Sequence, residues 1–156
     1  MLSKRKLSKL LNNSIWIVPK ETLIAYSLNG EVITPVKDQT IWIIDSCKDN
    51  YIFGTSYLTL NGVFISKSKI IGSVTPLGNV LFTFYTDNNI TTGSGKFLKL
   101  DNEYKFLMQM NTFNNSSGNI TGLSHWSYML RITHCDQEYY HIPGTKISID
   151  ELIKTK

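Results

Sequence analysis

The sequence predicts an all-β domain, an antiparallel up-and-down barrel of about eight or more strands with a short helix at each end. Three observations carry the prediction. A single alanine stands against 18 isoleucines, 13 asparagines and 8 tyrosines in 156 residues, which disfavours long helices and suits strands joined by polar turns. Short alternating runs are separated by Asn, Asp and Gly at fairly even intervals, the rhythm of a meander. So many successive hairpins leave exposed edges unless the sheet closes on itself.

The elements follow in order. Residues 1–14 form a basic segment in which Leu7, Leu10 and Leu11 share one helical face, flanked by Lys4, Lys6 and Lys9. It reads either as a short amphipathic helix able to touch a membrane surface weakly, or as a solvated, frayed terminus, and the second reading is preferred. Asn29-Gly30 in "TLIAYSLNGEVITPV" and Asn61-Gly62 in "SYLTLNGVFIS" separate apolar runs, predicting type I′ hairpins with positive φ at both central residues. After the hairpin 22–36, strands are expected over 41–47, 51–60, 63–66, 69–75, 80–86, 96–100, 104–112, 124–133 and 139–142, with a long loop over 113–119. Ser148 and Glu151 have the S-x-x-E spacing of a capping box and open a short helix, "IDELIKT". No linker divides the chain, so residues 1–156 read as one domain.

The run from Trp42 to Thr133, with its early Trp, its hairpins and the glycine-punctuated "IIGSVTPLGNVLFTF" and "TTGSGKF", resembles the calycin group of lipocalin-type and avidin-type barrels. The resemblance lies in architecture and covers more than half of the chain. It implies a barrel with an internal cavity and assigns no individual binding residue.

Charge argues against nucleic acid. The net +4 is carried by Lys4, Arg5, Lys6 and Lys9, and the rest of the chain balances twelve basic against twelve acidic residues. Lys48, Lys67, Lys69, Lys96, Lys99 and Lys105 are scattered, whereas a phosphate-binding surface needs clustered cations. No apolar run approaches membrane-spanning length, and the N-terminus lacks the apolar stretch of a usual signal peptide, so a cytoplasmic setting is expected. Cys47 and Cys135 then read as free thiols. The sequence sets no oligomeric state.

The chemistry-bearing candidates cluster late in the chain. On "YKFLMQMNT" the even positions Tyr104, Phe106, Met108 and Met110 are apolar, as are Trp126, Tyr128, Leu130 and Ile132 on "SHWSYMLRIT". The opposite faces carry Lys105, Leu107, Gln109 and Asn111, and His125, Ser127, Met129 and Arg131. Read simply, these faces are the wet side of a half-buried sheet. Their mixture of amides, imidazole, hydroxyl and guanidinium is instead the directional kind that lines a pocket. On that reading Gln109, Asn111, His125, Ser127 and Arg131 orient a ligand, and the apolar face packs against the hairpin 22–36 and the C-terminal helix.

Other chemistries find less support. His134, Cys135, Asp136 and His141, with or without His125, match no compact metal-ligand spacing, so no metal or cofactor is expected. "TTGSGKF" fails the phosphate-loop pattern, with Ile90 at the first glycine position and Phe97 after the lysine; its glycines suit a barrel bend. The acidic residues, Asp38 among them, sit beside turns. The leading expectation is a barrel that binds a small, partly apolar molecule without covalent chemistry. The alternatives are an enzyme on the same barrel, with His125 as acid or base and Arg131 stabilising negative charge, and an interaction module with a filled core, using Tyr139, Tyr140 or the basic N-terminus.

Overall fold

In the computed structural model, which describes residues 2–116, 118–133 and 140–154, the chain begins with helix α1 (Lys4–Leu11) and strand β1 (Ser14–Ile17). A 3₁₀ turn (Lys20–Thr22) leads to β2 (Ile24–Asn29), β3 (Val32–Lys48), β4 (Tyr51–Leu60), β5 (Val63–Val74) and β6 (Asn79–Tyr85). β7 (Ile90–Leu100), β8 (Glu103–Ser116), β9 (Asn119–Ile132) and helix α2 (Ile149–Lys154) complete the order. Every strand pairing is antiparallel, and β3 through β9 run as neighbours in sequence order.

The sheet closes into an eight-stranded barrel because β1 and β2 together occupy one place between β3 and β9. β1 pairs with Ile41–Ile44 of β3 and Leu130–Ile132 of β9, while β2 pairs with Val32–Lys37 and Thr121–Ser124 of the same two strands. The eighth strand is thus split, and residues 18–23 leave the wall between its halves. The predicted barrel and both terminal helices are present, and the strands close on one another round the barrel, with residues 63–68 of β5 paired to β4 alone.

Side chains alternate in and out along each strand. The inward set builds a core around Trp42, whose ring centroid lies 5.1 Å from Phe82 and 5.6 Å from both Phe84 and Phe106. Trp16 adds an edge contact to Phe106 at 4.7 Å. Met108 fits beside them because Gly95 lies opposite it: a Cβ there would sit 2.8 Å from the Met108 sulfur and 2.0 Å from the Leu107 carbonyl oxygen. A second cluster lies outside the barrel, where Ile142, Ile149 and Leu152 of the C-terminal segment cover Ile15, Ile17, Ile41 and Tyr57.

Helix α1 plugs one end. Ser3 caps it, its hydroxyl accepting from the Lys6 amide, and Leu7 and Leu11 are buried in the main core. Ser8 Oγ donates to the Cys47 carbonyl at 2.7 Å, and Asn12 Oδ1 accepts the Cys47 N–H at 2.6 Å. The N-terminal segment is therefore ordered over Lys4–Leu11 and not frayed there, because its leucines have a barrel mouth to fill. Free Cys47 is buried, and burial raises its thiol pKa.

Several local expectations change. The Asn61-Gly62 turn has positive φ at both residues (50° and 80°), as predicted, and Asp49-Asn50 and Asp101-Asn102 adopt the same conformation. The first hairpin instead turns on Gly30-Glu31, with Asn29 paired to Val32 and only Gly30 at positive φ (60°), the type II′ pattern. The run 113–119 is not a long loop: β8 extends to Ser116 and β9 resumes at Asn119. The hairpin 22–36 is part of the barrel wall and does not lie across its outside.

Candidate functional site

The register of β8 against β9 decides which polar groups meet. Met110 pairs with His125 and Met108 with Ser127, so His125 and Ser127 share the inner face with the methionines. Gln109 pairs with Trp126 and Asn111 with Ser124 on the outer face; both amides are exposed, and Asn111 Oδ1 accepts from Ser124 Oγ at 2.7 Å. The sequence grouped Gln109 and Asn111 on one face with His125 and Ser127 and left the register open; the register pairs odd with even positions, which puts the two amides on the opposite face. Arg131 keeps the parity of His125 but is exposed and lies opposite Trp16, six positions farther along β9. At about 3.3 Å per residue that is roughly 20 Å away.

His125 and Ser127 hold the gap in the split strand. His125 Nε2 lies 2.7 Å from the Thr22 carbonyl oxygen, and Nδ1 lies 2.8 Å from Asp38 Oδ2. Thr22 Oγ1 is 2.8 Å from Ser127 Oγ. From the other side, Gln39 Oε1 accepts the Val18 N–H at 2.9 Å, while its Nε2 donates to the Val18 and Pro143 carbonyls at 3.0 Å. The side-chain amide of Gln39 thus supplies the ladder bonds that a continuous strand would have made.

Both ring nitrogens of His125 face acceptors, the Asp38 carboxylate and a carbonyl, and the protonated imidazole satisfies both. The two side chains are 1% and 2% exposed. Burial alone would lower the His125 pKa, but the hydrogen bond and charge of Asp38, with help from the Thr22 carbonyl, more than offset it, so the pKa is raised. Thr40 donates to the other Asp38 oxygen at 3.1 Å. Asp38 was read from sequence as a turn residue. It stands inside a continuous 17-residue strand, and the one available signal was the polar triplet Asp38-Gln39-Thr40 between "VITPV" and "IWII".

Above the aromatic core the barrel is hollow. A cavity of about 410 Å³ opens away from α1, with Asp38, His125 and Phe84 among its lining residues. Its walls mix hydroxyls and amides (Thr40, Ser56, Ser66, Ser68, Thr86, Asn89, Thr91, Thr112, Asn114, Thr121) with Leu58, Leu60, Ile65, Met110 and Leu123. Ile65 is turned to the mouth by a bulge: Leu58 pairs with Ser66 and Thr59 with Phe64, leaving it as the extra residue. Exposed apolar side chains stand on the hairpins at this end, Tyr85, Ile90, Phe113 and Ile120 on the outer face of the wall.

His134, Cys135, Asp136 and Tyr139 lie outside the described residues. His141 forms an isolated bridge with Ser148 in the C-terminal segment, and among the described residues no three His, Cys, Asp or Glu side chains gather as metal ligands. Tyr140 is half-buried against the outer cluster. No helix among the described residues is long and apolar enough to cross a membrane.

The fold and site define an antiparallel eight-stranded barrel, plugged at one end and hollow at the other. No protein-family model, curated protein or solved structure matches the chain in comparisons with known proteins.

Proposed function

We propose that this is a calycin-like binding protein that holds a small, partly apolar molecule in the open half of its barrel, without covalent chemistry. The observation that carries the proposal is the one-ended cavity of about 410 Å³, large enough for a small organic ligand and lined by both apolar and hydrogen-bonding side chains.

The geometry speaks against the enzymatic alternative. His125 has both nitrogens engaged, and Arg131 is too far along the strand to act on the same atom. Of the five residues expected to orient a ligand, His125 alone lines the cavity. Ser127 stands behind it, holding Thr22.

Native mass spectrometry tests the proposal by comparing the mass of the purified protein before and after denaturation. A small-molecule adduct is expected, retained in Gln109→Leu and lost in a folded Leu123→Trp variant whose indole fills the cavity. A bare protein that also ignores a broad panel of small molecules would sink it.

A further inference from the structure

The cavity lining carries a second message, about charge. Its ionisable side chains are Asp38 and His125, and each is already the other's partner at 2.8 Å. Among the described residues no Lys, Arg or Glu lines it, so a charged ligand group would leave water without a counter-charge, at high cost.

Uncommitted hydrogen-bonding groups, by contrast, are present and converge. Ser56 is only 4% exposed, lines the cavity and has no side-chain hydrogen bond with any described residue. Ser68, its register neighbour on β5, also lines the cavity and is likewise uncommitted. Trp42, the register neighbour of Ser56 on β3, is fully buried beneath the cavity-lining residues and does not itself line the cavity. A hydroxyl both donates and accepts and rotates to suit, which fits it to neutral polar groups.

We infer that the ligand is an uncharged molecule with an apolar body and a neutral hydrogen-bonding group, such as a hydroxyl, amide or amine N–H held neutral, that binds the Ser56–Ser68 wall. The inference rests on the cavity-binding reading and adds the ligand class to it. Apolar contact is supplied by Phe84, Met110 and Leu123, and Asp38 and His125 are already committed to each other.

A pair of fluorescent probes separates the two claims. N-phenyl-1-naphthylamine is uncharged and has one N–H; its 8-sulfonate derivative, 1-anilinonaphthalene-8-sulfonate, is an anion of similar shape. The neutral probe is expected to bind at least about tenfold more tightly, and Ser56→Ala to weaken it by about threefold to tenfold, the worth of one hydrogen bond. Ser68→Lys, which places a cation at a half-buried position, is expected to shift the preference toward the sulfonate. Leu123→Trp, or Thr121→Trp at the exposed mouth, is expected to abolish neutral-probe binding while circular dichroism shows the fold intact. If the sulfonate binds wild type as tightly as the neutral probe and the Trp variants block both, the ligand class is wrong and the cavity stands. If neither probe binds, or binding survives both folded Trp variants, the cavity reading itself fails. Should Ser68→Lys not fold, the wild-type ratio of the two probes decides.

Discussion

Asp38 and His125 form the most consequential residue pair in the chain. They tie β9 to the displaced segment at residue 22 and close one side of the cavity. Removing one partner of a buried pair strands the other, so Asp38→Ala is expected to cost about 3–5 kcal/mol in urea unfolding. Because the folded His125 pKa is raised, its stabilising contribution is complete below the unfolded value of 6.5 and is lost as pH rises through the folded value. Asp38→Asn removes the carboxylate, and NMR titration of the imidazole should show the His125 pKa fall. An unchanged titration would mean the carboxylate does not set it. On the outer wall, Gln109→Leu is expected to change stability by no more than about 0.5 kcal/mol and to leave probe binding intact. Residue-level reading of the sequence put Gln109 and Asn111 on one face with His125, and the register separates them. Alternation states which residues share a face within a strand, and only the turn fixes which faces of two strands coincide. The polar run 113–119 hid that turn.

At the scale of elements, the split strand is the unusual construction. Pro19 and the 3₁₀ turn after it carry the chain out of the wall, and Gln39 meets the two backbone groups of Val18 left behind. Gln39→Leu keeps the volume and abandons those groups, and each unmet buried group is expected to cost about 1–3 kcal/mol, measured as a fall in the denaturant midpoint. This interruption was not legible because a side chain standing in for a ladder has no sequence signature. Other elements were legible because their signals are local. The capping box is present, with Glu151 Oε2 accepting the Ser148 N–H at 2.7 Å and Ser148 Oγ accepting the Glu151 N–H at 3.2 Å. Helix α1 was legible as a pattern but not as a plug, since its leucines acquire a partner only when the barrel closes. With Leu7 and Leu11 buried, Leu7→Ala is expected to cost about 2–5 kcal/mol. A loss near zero in the same unfolding assay would return the segment to the frayed reading.

The whole molecule is a barrel with two unlike ends. Near α1 the interior is packed with Trp16, Trp42, Phe82 and Phe106; at the other end the same wall turns to hydroxyls, amides and aliphatic groups around a hollow. Closure was legible from the number and spacing of hairpins. The division into a solid and an open half was not, because it depends on which inward positions share a level after the strands tilt around the barrel. Methionine methyl spectroscopy reports on that division directly, since Met110 lines the cavity whereas Met129 is buried in the core. The most direct measurement is a ¹³C-methyl-methionine spectrum recorded during titration with N-phenyl-1-naphthylamine. With the probe in the cavity, the Met110 methyl resonance is expected to shift and saturate with the fluorescence change while Met129 stays nearly still. Saturating fluorescence with Met110 unmoved would place the probe outside the barrel and contradict the cavity.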